Sequence, residues 1–161
     1  MMIDLNPVTM KFYALLILSV SGFFSANAQQ SELVVDKENF FTEKEIVSID
    51  SLLQAYHKRS GNLVAVYTDT ANISNPDFGA SVYATFKKPG TDSAYSYILM
   101  MSRKHSLLFS SVNKKTVPFI NDQLLVGILE KGFASFKEKR RAEGVMIICS
   151  AAMSFLDGLP K

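Results

Sequence analysis

The chain has 161 residues, 48% hydrophobic and 20% charged, which are the proportions of one globular domain built on one core. Lys and Arg number 17 against 15 Asp and Glu, and the resulting formal charge of +2 is too small to point to nucleic acid or a strongly anionic surface. A single cysteine, Cys149, excludes an internal disulfide framework and a cysteine-based zinc cluster, and reads as a small buried apolar residue.

The first segment has the pattern of a secretory signal. Lys11 precedes an apolar run from Phe12 to Val20 that continues to Phe24, and Ser25-Ala26-Asn27-Ala28 supplies an Ala-x-Ala end. The run is shorter than the ~20 residues of a membrane-spanning helix. We therefore expect residues 1–28 to be a cleavable signal peptide, with Met10 as an alternative start, and residues 29–161 to be the mature domain. Gln29 rather than Cys follows the expected cut, which argues against a lipid anchor. No apolar stretch near the carboxyl terminus suggests a membrane anchor, and a monomer is the default for a domain of this size.

In the mature chain, Leu33-Val34-Val35 is a short extended segment ending at Asp36. Thr42-Glu43-Lys44-Glu45 is a capping box, in which Thr42 accepts from the backbone of residue 45 while Glu45 reaches back, so a helix is predicted to begin there. Ile46, Ile49, Leu53 and Tyr56, with Val47 and Leu52 beside them, recur at helical spacing. His57, Lys58 and Arg59 suit the negative end of the helix dipole, and Gly61 suits a left-handed stop. Leu63 to Thr68 is a β-branched, apolar run expected to form a strand covered on both faces, ending at Asp69.

Ser74-Asn75-Pro76-Asp77 opens a second predicted helix carrying Phe78, Val82 and Phe86, up to Lys88. Pro89 to Ser93 is turn-rich. Tyr95 to Met101 and His105 to Ser111, separated by Ser102-Arg103-Lys104, predict an antiparallel hairpin buried on both faces that joins the first strand in one sheet. Past a polar stretch at Asn113 to Thr116, Pro118 to Asp122 leads into a helix. Its stripe, Leu125, Ile128, Leu129, Phe133 and Phe136, runs unbroken to the Lys137–Arg141 tract, which reads as a solvated helix end. Gly144 marks a local backbone adjustment, and Val145 to Leu156 form a last helical face stopped by Gly158 and Pro160. The predicted fold class is α/β: a mixed sheet of about three to four strands flanked by about four helices, in three α-β-α layers.

Chemistry is sparse. No dinucleotide-binding, Walker-type, nucleophile-elbow or H-E-x-x-H pattern is present, and His57 and His105 fall on different elements. Carboxylates do collect at element ends: Asp36, Asp69, Asp92 and Asp122. In an open α/β sheet, loops at the carboxyl ends of strands gather around one crevice, and oxygen ligands on loops suit calcium or magnesium. Capping and turn formation explain each aspartate equally well when taken singly.

Several strings, in this order, resemble the TPM domain family, whose name joins a thylakoid lumen protein, a photosystem II repair protein and a modulator of nicotinic receptors. They are Val34-Val35-Asp36, Phe41-Thr42-Glu43-Lys44-Glu45, Leu52-Leu53, Ser60-Gly61-Asn62 and Val64-Ala65-Val66. Later come Asn121-Asp122-Gln123, Phe136-Lys137 and Glu143-Gly144. Together they bracket residues 32–157.

The resemblance implies a small helix-flanked sheet exported to a periplasmic, extracellular or lumen-like compartment, where it contacts or maintains an envelope or membrane protein. It also implies divalent-metal binding in some members, with Asp36, Asp92 and Asp122 as the metal or phosphatase acids and Ca2+ or Mg2+ as the ion. Where the family has a D-N-G-like string this chain has Asp92-Ser93-Ala94, and Ser111 to Lys115 replaces a glycine-rich segment. Both changes remove backbone freedom or an amide oxygen useful to a cation. The expectation is an extracytoplasmic interaction module. The alternative is a metal-dependent acid phosphatase with Lys88, Arg103 or Lys104 near the phosphate.

Overall fold

A computed structural model describes residues 33–70, 82–86 and 94–160. Strand β1 (Val34–Asp36) leads into helix α1 (Glu43–Ser60), which returns to β2 (Leu63–Thr68). Residues 82–86 are helical. A hairpin of β3 (Ser96–Ser102) and β4 (Leu107–Val112) follows, then a 3-10 turn at Val117–Phe119 and helices α2 (Asp122–Glu130), α3 (Phe133–Lys137) and α4 (Arg141–Asp157).

The four strands form one mixed sheet in the order β1-β2-β3-β4, parallel from β1 to β3 and antiparallel at β4. All of β2 and β3 is buried, as expected of strands covered on both faces. On one face α4 lies by Tyr97 with its buried Cys149. Helix α1 runs alongside α4 in the same direction. Glu45 feels the charge of Arg141 near their first turns, while Tyr56 donates to Met153 O at 3.3 Å and Arg59 pairs with Asp157 at 2.9 Å near their last. On the other face Phe86 meets Tyr67 edge-on, with ring centroids 6.3 Å apart. The layers are thus α-β-α.

The ends of α1 follow from local chemistry. Thr42 Oγ1 accepts from Glu45 N, Glu45 Oε2 accepts from Thr42 N at 2.8 Å, and Gly61 closes the helix at φ +75° with its N–H on His57 O. Ile49, Leu53 and Tyr56 are buried as the spacing predicts, whereas Val47 is 62% exposed. The Pro76 start and Phe78 of the second predicted helix lie outside the described residues, but Val82 and Phe86 are buried.

Several expectations are corrected. Strand β4 is half-buried, and Leu107 is 46% exposed, because β4 is the outermost of the described strands and has one neighbour among them. The stripe from Leu125 to Phe136 is two helices broken at Lys131-Gly132. Gly132 packs on α4 so tightly that a Cβ there would lie 2.6 Å from Gly144 O and 2.8 Å from the Ile148 side chain. Gly144 is the other half of this contact and sits inside α4, not at a break. The basic tract is a junction: Lys137 ends α3, Lys139 turns at φ +62°, and Arg140 pairs with Glu138 and Glu143 before α4 starts.

Candidate functional site

Asp36 and Asp69 both stand at the carboxyl end of the sheet, since Asp36 pairs with Thr68 and Asp69 follows it. Each carboxylate is engaged by the chain itself. Asp36 accepts from Phe40 N and Phe41 N at 2.9 Å each and from Thr68 Oγ1 at 2.5 Å, which ties the turn after β1 to β2. Asp69 accepts from Lys37 Nζ at 3.0 Å and Tyr67 Oη at 2.8 Å. The Tyr67 hydroxyl first, and Asp69 second, hold the Lys37 ammonium above its ordinary range; burial raises the Tyr67 phenol. Glu38 accepts from Ser102 Oγ at 3.1 Å and Arg103 N at 2.5 Å, fastening the same turn to the hairpin.

The other proposed metal acids are placed differently. Asp122 is the exposed first residue of α2, beside its N-cap Asn121, whose side chain accepts from Leu124 N at 2.9 Å. Because β4 runs antiparallel, the chain leaves it at the amino end of β3, where Phe119 stacks on Tyr95 at 5.8 Å, and Asp122 follows three residues later. Asp36 and Asp122 therefore lie toward opposite ends of the sheet. Asp92, like Lys88, lies outside the described residues. Among the described residues no three acidic, His or Cys side chains could share a metal ion. A carboxylate offers about four lone-pair sites, and Asp36 has three in use. Asp36 and Asp122 do not fit one Ca2+ or Mg2+ site. His57 Nδ1 sits 2.9 Å from Asn62 O and His105 Nε2 3.2 Å from Thr70 O, each held by backbone.

What this end of the sheet leaves open is basic and apolar. A pocket of about 310 Å³ lies between the start of β4, α3 and the first residue of α4. Met101 and Leu108 form its floor, while Leu107, Phe133 and Phe136 stand around it. Two guanidinium groups, Arg103 from the hairpin turn and Arg141 from α4, each lie 5.2 Å from the Phe40 ring centroid, at cation–π distance. Arg103 also donates to Asn39 O at 3.2 Å. Neither arginine has a carboxylate within ion-pair distance among the described residues. No local pattern signals this pair, because Arg103 and Arg141 are 38 positions apart and meet at Phe40.

A larger cleft of about 680 Å³ at the opposite end of the sheet is polar, but its groups are partnered across it. Arg59 pairs with Asp157, Tyr95 Oη donates to Pro160 O at 2.7 Å, and Lys115 lies 4.2 Å over the Tyr95 ring. The smaller pocket is the better candidate, since its charges are unspent.

No known protein family matches the chain, and no curated protein does either. Solved structures share its fold. BA42 from the psychrophilic bacterium Bizionia argentinensis superposes with a TM-score of 0.62 at 16% identity, over 75% of this chain and 84% of that one. The N-terminal domain of a protein from P. gingivalis gives 0.61 at 18% identity, over 81% and 85%. The N-terminal domain of cg2496 from Corynebacterium glutamicum gives 0.54 at 10%, over 77% and 79%. At these identities the likeness establishes a shared small α/β fold and nothing about activity.

Proposed function

We propose that the chain is an extracytoplasmic binding module of the TPM type, which holds an envelope or membrane protein through the pocket at the carboxyl end of its sheet. One observation carries the reading: the acids there are consumed by intramolecular bonds, whereas Arg103 and Arg141 converge on Phe40 without a carboxylate, beside exposed apolar side chains. Metal-assisted phosphate hydrolysis requires grouped oxygen ligands that are free to bind, and among the described residues Asp36 has three hydrogen bonds of its own and belongs to no group of three acids. The export half of the proposal rests on the signal-like segment before Gln29.

Site-specific photocrosslinking in cells that export the chain tests this. A benzophenone side chain at Phe133, beside the pocket, should give a discrete adduct with another protein, and one at Val47, exposed on α1, should not. Equal adducts at both positions, or none at Phe133, would remove the reading. So would turnover of p-nitrophenyl phosphate that depends on Mg2+ or Ca2+ and vanishes in a folded Asp36→Asn variant.

A further inference from the structure

We infer that this pocket receives the free carboxyl terminus of a partner protein whose last residue is apolar, with the residues before it laid along the outer edge of β4. The inference rests on the binding-module reading and gives its partner a chemistry. Two like charges held at one aromatic ring repel each other, and the π-face of Phe40 compensates only in part. The hydrogen bonds of the neighbouring acids go elsewhere, Glu38 to Ser102 and Arg103 N, and Glu45 to Thr42, although Glu45 still feels the charge of Arg141. An incoming anion meets two guanidinium forks with donors to spare, the geometry that suits a carboxylate.

The apolar half of the pocket selects what carries that carboxylate. About 310 Å³ over Met101 and Leu108, walled by Phe133 and Phe136, is room for an apolar side chain next to the charge. The sheet edge argues for a peptide over any other apolar anion. Among the described residues β4 has a strand on one side only, so the backbone groups facing outward can pair with an added strand. Its first residue, Leu107, borders the pocket. A peptide running antiparallel to β4 thus brings its last residue to Arg103 and Arg141.

The test screens a library of immobilised hexapeptides, randomised in sequence and ending in a free carboxylate, against the chain, and then measures the enriched peptide as free acid and as carboxyl-terminal amide by amide and arginine Nε NMR. The acid should bind at least tenfold tighter than the amide, with the largest shifts at Arg103, Leu107, Phe133 and Arg141. Arg141→Gln and Arg103→Gln, each verified as folded by its spectrum, should bring acid and amide to within about threefold of each other, and Arg141→Lys should restore part of the difference. Equal binding of acid and amide, shifts centred away from the pocket, as on the α2 and α4 residues Leu124, Gly127, Ala151 and Phe155 that line a separate groove, a library with no enrichment for apolar last residues, or tighter binding of dodecanoate at the same residues would each overturn the inference. A positive Phe133 crosslink beside a failed peptide screen would leave the binding module standing and remove only the terminal carboxylate.

Discussion

At the carboxyl end of the sheet, the β1–β2 side and the β3–β4 side differ in how their charges are used. On the first, Asp36 and Asp69 are engaged by backbone amides, hydroxyls and a lysine, so their charge holds the turn after β1 in place. On the second, Arg103 and Arg141 share an aromatic ring, Arg103 has one carbonyl and Arg141 the field of Glu45, but neither is locked in an ion pair among the described residues, so their donors are available to something outside the fold. Acids at strand ends are where site chemistry is expected, yet here they hold the platform, and the charged groups left at the pocket are the arginines.

The most severe way to break this contrast is Asp36→Ala. It strips the acceptor from two amides and the Thr68 hydroxyl, and we expect a loss of about 3 kcal/mol in denaturant unfolding, with or without added Ca2+. A loss that appears only in the presence of the metal would make Asp36 a ligand and erase the distinction. Gly132→Ala attacks the other side. Its Cβ meets Gly144 O, so α3 must shift against α4, costing about 2 kcal/mol and displacing Phe133 and Phe136 relative to Arg141. Its signature is perturbed amide shifts in α3 and α4 with the turn after β1 unchanged.

Smaller effects sharpen the picture. Thr42→Ala removes the N-cap of α1 and should cost about 1 kcal/mol. Bonds from the Thr42 amide and then its hydroxyl hold the Glu45 carboxyl below its ordinary 4.5. Because the folded value is depressed, this contribution is complete above the unfolded value and lost as pH falls through the folded one. The stability gap between the chain and Glu45→Gln should therefore narrow on acidification below about 4.5 in pH-dependent denaturation. Arg141→Gln is the mildest, within about 0.5 kcal/mol of the parent in thermal unfolding, since the side chain has no ion pair to lose. A residue that does little for stability and much for peptide binding is what the contrast demands.

Local rules carried much of the fold. The capping box, Gly61 and the β-branched run at Leu63 to Thr68 each specify their element through neighbours within a few residues, and the structure has all three. The hairpin was legible as well, although its turn falls at Arg103 to Ser106, with Ser106 at φ +50°, rather than before His105. What failed was tertiary. The exposure of β4 depends on its place in the sheet, and the break at Gly132 depends on a contact with Gly144 twelve residues away. The pocket is of this second kind. Its residues come from the turn after β1, the hairpin, α3 and α4, and no periodicity connects them.

Cys149 has a use of its own. It is fully buried in α4, and burial pushes its thiol up to about 12, so at pH 7 only about one molecule in 10⁵ would carry the reactive thiolate even if reagent could reach it. Since it is the sole cysteine, alkylation reports one event, the separation of α4 from the sheet. The rate of thiol labelling of the purified chain is thus a built-in clock for opening of the core.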